Sequence, residues 1–534
     1  MVGHAESDNL QSRIYAGSFL KTPRDVENLV VRVIDGTPIY VRDVALVNWA
    51  NEEASSYVNY YTGPAYAQSF GSEKLADGDL AITVAIAKKE GSNGVTVAND
   101  ILAMVESLKG RLIPDQVEVE ITRNYGETAQ EKVNELLFKL VVATGIVTIL
   151  VWYALGLKPA IVVTIVIPVV ILMTVFAAFV IGMSIDRVSL FALIFSIGIL
   201  VDDAIVVVEN IYRRWLMKGE PSTEIAVDAV REVGNPTILA TFTVVAALMP
   251  MAFVSGLMGP YMAPIPVLGS IAMVISLFAA FAFTSYLAMR IRPSMAQLEK
   301  AELAEHASNE KLDKLFRKVI PRLLDSKAAG YGFLGGLVLL FFAVCTMFYT
   351  TAVTVKMLPY DNKPEFAVVI DMPEGTALPA TANLARAVAE QLRAIPEVTA
   401  LQTYTGTARP FDFNGMVRHY YLRADPWLAE IQVQLLNKKE RKRSSHQIAE
   451  EARALLAPLG RDVGARITIA EMPPGPPVIQ AVVAEIYGPN AVTRRQVAAD
   501  MTALFESVEG LADVDNYMSQ PYEAWRFVID TQKA

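Results

Sequence analysis

The chain has 534 residues, of which 53% are hydrophobic and 19% are charged, and its net charge is -9. This length is too great for one compact domain, and the apolar share exceeds ordinary globular usage. The negative charge argues against a nucleic-acid partner. The only cysteine, Cys345, excludes an intrachain disulfide, and the four histidines are scattered and suggest no metal site.

The segment before residue 136 has mixed polarity and short apolar runs, which is typical of a water-soluble domain. Alternating apolar residues predict strands over 81–87 and 117–121. A stretch with helical periodicity between them predicts a helix over 96–108. This order, strand then helix then strand, recurs later in the chain.

Six apolar windows are each long enough to cross a bilayer, which takes about 20 residues. Lysines and arginines follow the third and fifth windows, so the positive-inside rule places the loops 209–236 and 290–329 in the cytoplasm. Both soluble regions then lie on the other side of the membrane. The predicted spans are 136–157, 160–183, 188–208, 237–257, 266–289 and 330–350.

Two adjacent carboxylates, Asp202 and Asp203, lie near the middle of the third predicted span. A charged aspartate at the centre of a membrane helix costs about 2.5–3.5 kcal/mol on insertion scales, so such acids are by default proton or ion sites. Gly198 and Ser196 precede them on the same helix and are small, so a second helix can approach closely. The other five spans hold no lysine or arginine in their interiors, so we expect the counter-charge from outside this chain.

The acidic pair predicts a switch between two helix packings. The acids would be ionised when a basic group contacts them and neutral when protons replace it, because desolvation and like-charge repulsion favour the neutral form. The alternative is a pair of acids hydrogen-bonded for helix association. One asparagine or serine would serve that purpose at lower cost.

The strand–helix–strand pattern recurs after the last span and favours small α/β sandwiches of the split βαβ kind. The basic run 438–443 (KKERKR) is most simply a solvated turn, with contact to an adaptor as an alternative. An enzyme finds no support, since the sequence shows no Gly-rich phosphate loop, GxSxG elbow or His/Cys metal spacing. The predicted strands are 366–372, 398–404, 429–436 and 465–470, the helices are 379–394 and 445–456, and a further repeat covers 481–514.

The run GILVDDAIVVVENIYRR at 198–214 resembles the fourth-helix motif of the resistance-nodulation-division transporters, in the hydrophobe/amphiphile multidrug branch. VKMLPYDNKPEFAVVIDMPEGT at 355–376 and PPGPPVIQAVVAEIYGP at 473–489 agree with it. The resemblance covers nearly the whole chain. It implies an α-helical membrane bundle with ferredoxin-like α/β porter subdomains in the periplasm.

The resemblance also places the segments of the chain. Six spans resemble helices two to seven of the family's twelve, so we expect a fragment of roughly the middle half that does not pump alone. The implied domains are 1–45, the end of a docking subdomain; 46–135, a porter subdomain; 136–350, the transmembrane block; and 351–534, a truncated second porter region.

The function implied by the resemblance is proton-driven efflux of hydrophobic or amphiphilic compounds across the cell envelope, from the bacterial inner membrane. Asp202 and Asp203 match the family's proton-relay acids, and protons are the coupling ion with no further cofactor. The implied partners are two further copies in a homotrimer, a periplasmic adaptor, an outer-membrane channel and membrane lipid.

The loop 406–421 resembles the porter loop that separates the family's substrate pockets, which makes Phe411 and Phe413 possible substrate contacts. Two aromatics in an ordinary loop are the alternative. Other functions left open are heavy-metal cation efflux, which would usually place a single acid where this chain has two, and a non-transporting remnant or a sterol-sensing or structural membrane protein.

Overall fold

The computed structural model describes residues 3–7, 10–14, 20–71, 75–256, 258–299, 314, 316–318, 320–321, 323–353, 361–410, 412–472, 475, 482–511, 513–525 and 528. The chain divides into two compact units, residues 1–57 and 58–534. They are described separately.

The first unit is built from two antiparallel strand pairs. Asp35 and Gly36 connect the second pair with φ of 46° and 78°, the left-handed values that a tight hairpin turn requires. Thr22 caps the first helix through a reciprocal capping box with Asp25. The elements are β1 (Gly3–Ser7), β2 (Leu10–Ile14), α1 (Pro23–Glu27), β3 (Val30–Ile34), β4 (Thr37–Tyr40) and α2 (Val41–Val44).

The second unit contains the membrane block. Six helical segments in the described part of the chain are long and apolar enough to cross a membrane, which confirms the six predicted spans. The helices are α3 (Tyr66–Phe70), α4 (Gly94–Leu108), α5 (Tyr125–Leu155), α6 (Leu157–Ile181), α7 (Arg187–Lys218), α8 (Thr223–Leu248), α9 (Met258–Met262), α10 (Pro264–Phe278), α11 (Ser285–Arg290) and α12 (Lys327–Tyr349), with a 3₁₀ turn at Met249–Phe253.

Helices α7 and α8 are longer than the apolar windows that predicted them. Asp186 caps the start of α7, and Gly219 ends it with a left-handed φ of 77°. Ser222 then caps α8, which continues past Pro236 without a break. The predicted loop 209–236 is therefore mostly helical, and its cytoplasmic location stays a prediction.

A π-helical segment, Ala279–Thr284, joins α10 to α11. Small buried side chains recur every fourth residue through this joined helix. A regular α-helix would turn such a series by about 40° at each step, because each residue turns the helix by about 100°. The wider π turn offsets that drift and keeps small residues buried on one side. They are Ala272, Ser276, Ala280, Thr284 and Ala288.

A six-stranded sheet forms the soluble lobe of the second unit, in the order β10-β7-β9-β8-β5-β6. The β10–β7, β7–β9, β9–β8 and β5–β6 pairs are antiparallel. The elements are β5 (Tyr57–Thr62), β6 (Asp77–Leu80), β7 (Glu365–Asp371), α13 (Leu378–Leu392), β8 (Val398–Thr405), α14 (Phe413–Val417), β9 (Leu428–Leu435), α15 (Ser445–Val463), β10 (Arg466–Glu471) and α16 (Ala491–Glu506), with a 3₁₀ turn at Tyr420–Leu422.

Helices α13 and α15 cover one face of this sheet. Leu384, Val388 and Leu392 recur every fourth residue on α13 and pack against apolar strand residues such as Ile431 and Val433. Alternate residues of β9 point to the opposite face, since side chains alternate along a strand. The four strands and two helices predicted from 366 to 470 are confirmed to within a few residues at most ends.

Two predicted strands are wrong. Residues 81–87 and 117–121 form no strand, and Ile82 and Val84 are 93% and 79% exposed. The last backbone bond on this side of the sheet runs from Ala81 N to Val58 O. Residues 82–87 are all exposed, so the alternation in sequence corresponds to no buried face; a strand also needs a partner backbone, which local sequence does not reveal. The helix α4 between them is confirmed.

The repeat predicted over 481–514 is confirmed only for its helix, α16, which Asn490 caps. No strand flanks it within the described residues 482–511 and 513–525.

Candidate functional site

Asp203 lies at a buried position in the middle of α7 and is 8% exposed. Helix α7 packs against α10, and Ser276 Oγ on α10 donates to Asp203 Oδ2 at 3.2 Å. The surrounding residues are apolar and include Ala204 and Ala272 in the same core cluster. This environment offers the carboxylate one hydroxyl and little else to compensate a charge.

Asp202 lies on the other side of the same helix turn and is exposed. The neighbouring positions along this side, Phe195 and Val206, are 48% and 42% exposed. No basic side chain of the described residues forms an ion pair with Asp202 or Asp203. The two acids therefore differ in surroundings, although they are adjacent in sequence.

The two small residues predicted near the acids take different positions. Ser196 is buried, and a Cβ built on Gly269 of α10 would lie 3.9 Å from its Oγ. Gly198 lies on the exposed side with Asp202, and a Cβ there would meet no described atom within 4 Å. Ser196 thus lies at the α7–α10 contact, whereas the packing role of Gly198 stays a prediction.

Polar side chains that sequence reasoning missed fix the end of α7 against α8. Asn210 is buried, and its Nδ2 donates to Ala229 O at 2.7 Å. Arg214 pairs with Glu232 at 2.7 Å, and Trp215 Nε1 donates to Ser222 O at 2.9 Å. The polar motif after Asp203 therefore has a structural role at this corner.

The loop 406–421 is only partly described. Phe411 lies outside the described residues, and Phe413 is described only as the first residue of α14. Both substrate contacts stay predictions. The loop is anchored by Asp412, which caps α14 by accepting from Gly415 N at 2.7 Å.

A continuous series of ion pairs crosses the polar face of the sheet, and we call it the ion-pair chain. At its centre Glu430 is fully buried, with Arg409 and Arg423 at 3.1 and 3.0 Å from its two carboxylate oxygens. Acids and arginines alternate along the series. In order of contact they are Glu365, Arg123, Asp412, Arg409, Glu430, Arg423, Asp371, Arg466 and Asp515.

The acids of the ion-pair chain differ in their pKa values. Burial raises the pKa of Glu430 to about 7, although Arg409 and Arg423 oppose the shift. Burial also acts on Asp412, but Arg409, the Gly415 N–H and Arg123 outweigh it, so the pKa of Asp412 lies below its ordinary value. The same balance, with Arg423 and Arg466, lowers the pKa of Asp371.

Sequence reasoning also missed the ion-pair chain, although β9 carries a visible signal. Glu430, Gln432 and Gln434 occupy alternate positions in an otherwise apolar strand, which marks one face of the sheet as polar. No local pattern identifies the arginines that reach this face, because they come from distant segments.

The basic run 438–443 forms the predicted turn, with Lys439, Glu440 and Lys442 exposed, but the prediction of a simply solvated run is wrong for Arg441. Arg441 is 9% exposed and donates to Leu436 O at 3.0 Å and to Asn362 Oδ1 at 2.6 Å. Lys439 pairs with Glu131 on α5 at 2.9 Å. The run therefore also joins the sheet lobe to α5, the first membrane helix.

The sequence model of the AcrB/AcrD/AcrF family matches residues 1–534, the whole chain. Among curated proteins, the multidrug resistance protein MdtC of Yersinia enterocolitica serotype O:8 / biotype 1B (strain NCTC 13174 / 8081) is 27% identical over 283 residues. That alignment covers 53% of this chain and 26% of the relative. The chain thus matches about a quarter of the relative's length.

Proposed function

The chain belongs to the AcrB/AcrD/AcrF family of resistance-nodulation-division permeases, and from this premise we propose that it is the proton-coupling part of an exporter driven by the proton gradient. Asp202 and Asp203 would carry the protons. In this role the exporter exchanges protons for a compound moving outward, and the chain performs no covalent chemistry.

The observation that carries the proposal is the environment of Asp203. A carboxylate on a membrane-spanning helix, buried among alanines and contacted by Ser276 Oγ, has no basic side chain of the described residues to neutralise it. A proton is then the available neutralising charge. Binding and release of the proton would change how α7 packs against its neighbours, which is the two-state element that coupling requires.

We propose hydrophobic or amphiphilic compounds as substrates and the bacterial inner membrane as the location. The name of the MdtC relative concerns multidrug resistance, which favours such compounds over metal ions. The proposed partners are two further copies of the protein, a periplasmic adaptor and an outer-membrane channel. We also infer that β7–β10 form a ferredoxin-like porter subdomain, which is supported by their antiparallel order β10-β7-β9-β8 with two helices on one face.

The test is replacement of each acid by its amide in the complete gene product. Asp202→Asn and Asp203→Asn should each abolish drug resistance in cells while the protein still accumulates in the membrane. The matched control is Asp228→Asn on α8, an exposed acid that forms a surface pair with Arg231 at 3.4 Å. Resistance that persists in both acid variants would rule out the proposed proton site.

A further inference from the structure

Helix α5 is the first predicted span, and two groups of side chains attach it to the sheet lobe. One group lies at its start, where Arg123 directly precedes the N-cap residue Asn124. The other lies two to three turns further along, where Lys438 and Lys439 reach Glu135 and Glu131 at 3.5 and 2.9 Å. Two attachment points on one rigid helix fix both its position and its direction relative to the lobe.

The attachment at the start of α5 is the more buried of the two. Arg123 donates to Glu365 Oε2 on β7 through Nε at 3.0 Å and through a terminal nitrogen at 2.8 Å. The side chains of Arg123 and Glu365 are 16% and 12% exposed. A shielded contact of this kind is screened much less by salt than a surface pair. Gln434 on β9 also donates to the carbonyl oxygen of Thr122.

Arg123 reaches the loop before α14 as well as the strand. It donates to Pro410 O at 3.2 Å, and it lies 3.8 Å from Asp412 Oδ2. Asp412 is the N-cap of α14 and is held from the other side by Arg409 at 3.1 Å. One guanidinium therefore contacts the membrane-helix start, a central strand and the loop that contains the two candidate substrate aromatics.

We propose that Arg123 is a positioning residue that ties the start of α5 to the loop preceding α14, so that displacement of this membrane helix is passed to the loop. The consequence for export rests on the proposed function, but the contact itself does not. Arginine suits this role because its planar fork can hold two or three acceptors at once in fixed directions. The lysine pairs further along α5 keep the helix from pivoting about that single contact.

Amide hydrogen exchange of residues 412–417 in the complete, purified gene product tests whether Arg123 holds the loop preceding α14. This measurement involves neither drug transport nor proton transport. Arg123→Gln should speed exchange there by about tenfold, the effect of losing one contact to a charged group. The matched control is Arg386→Gln on α13, whose partner Glu390 lies at 3.9 Å and whose side chain is 62% exposed. It should leave exchange of 412–417 unchanged.

Two further variants separate positioning from general damage. Asp412→Asn preserves a good N-cap residue but removes the charge that faces Arg123, and it should also speed exchange. The double variant Arg123→Glu with Glu365→Arg restores an ion pair of reversed sign and should recover part of the lost protection at 412–417. In export assays Arg123→Gln should lower the maximal rate and leave the half-saturating drug concentration unchanged.

Unchanged exchange at 412–417 in both Arg123→Gln and Asp412→Asn would overturn the inference, whatever happens to export. If instead Asp202→Asn and Asp203→Asn retain resistance while Arg123→Gln still speeds exchange, the proposed proton site fails and the tie stands. A change in half-saturating concentration alone, with normal exchange, would make Arg123 a substrate contact and would also overturn it.

Discussion

The membrane block and the sheet lobe both remove carboxylates from water, but among the described residues only the lobe supplies the buried carboxylates with arginines. Glu430 lies between Arg409 and Arg423, and both of those arginines contact a second acid. Asp203 is also buried, yet its described polar partner is the Ser276 hydroxyl. The same chemical group thus occurs with permanent compensation in one region and without it in the other.

The difference separates a structural use of buried acids from the proposed use in proton coupling. Arginine stays charged at any physiological pH, so the ion-pair chain supplies a fixed positive charge to the acids that join distant segments. A carboxylate without a fixed counter-charge changes its state whenever a proton arrives or leaves. Replacing an acid of the ion-pair chain should therefore lower stability, whereas replacing Asp202 or Asp203 should lower transport.

The largest expected effect on stability is at the centre of the ion-pair chain. Glu430→Ala removes the acid that Arg409 and Arg423 share, and should lower the free energy of unfolding by about 3 kcal/mol, the low end of the cost of breaking a buried ion pair, because each arginine keeps a second acid. Thermal unfolding of the purified protein in detergent measures this. Glu390→Ala, at a side chain 59% exposed, is the control and should change stability by less than about 0.5 kcal/mol. Equal effects of the two changes would contradict the structural role.

A smaller loss is expected in the membrane block, at a polar residue that does have partners. Asn210→Ala removes the hydrogen bond to Ala229 O and should cost about 1 kcal/mol, the usual net contribution of one hydrogen bond. Asn134→Ala, at an exposed position on α5, is the control. A melting temperature that does not respond to Asn210→Ala would mean that the α7–α8 corner is held by Trp215 and Arg214 alone.

Ser276→Ala should weaken export rather than stability. The hydroxyl contributes about 1 kcal/mol to one state of Asp203, so we expect roughly a fivefold change in the proton concentration that half-activates export. Proton-dependent drug transport in vesicles measures it. Ser270→Ala removes a buried hydroxyl on the same helix that has no hydrogen-bond partner among the described residues, and it should have no effect. Equal results for the two serines would show that the Ser276 contact is irrelevant to coupling.

A pH dependence of lobe stability is also expected at Glu430. The pKa of Glu430 is about 7 in the folded protein and 4.5 ordinarily, so between these values the folded state holds a proton that the unfolded state has released. Its contribution is full below the lower value and is lost as the pH rises through the upper one. The melting temperature of the wild type minus that of Glu430→Gln should fall from about pH 5 to about pH 7.5. A constant difference would show that the two arginines keep Glu430 ionised throughout.

The sequence predicted features that depend on local pattern, and it predicted them well. Six apolar windows became six helices, and the two αβ repeats from β7 to β10 appeared where periodicity placed them. It also singled out Asp202 and Asp203, whose proton role stays a prediction. It could not decide which acid is buried, because periodicity gives the angle between them but not the side on which α10 lies.

Features that depend on partners far away in the sequence were missed, because a local pattern does not show which distant segment lies beside it. Residues 81–87 alternate as a strand does, but they form no hydrogen-bonded ladder with a neighbouring strand. Arg441 was predicted to be solvated, although Asn362, far away in sequence, accepts from it. The ion-pair chain joins residues from 123 to 515, so no window of the sequence contains more than a few of its members.

The π segment between α10 and α11 has a genetic consequence. It keeps Ser276, Thr284 and Ala288 buried because it holds more residues in one turn than an α-helix does. Loss of a single codon within it would convert the turn to ordinary α-helix and rotate everything that follows by about 100°. The small residues beyond it would turn away from their neighbours and larger ones would replace them. A deletion that an exposed loop would tolerate is therefore among the most damaging changes this helix can suffer, although it removes no residue of the proton site.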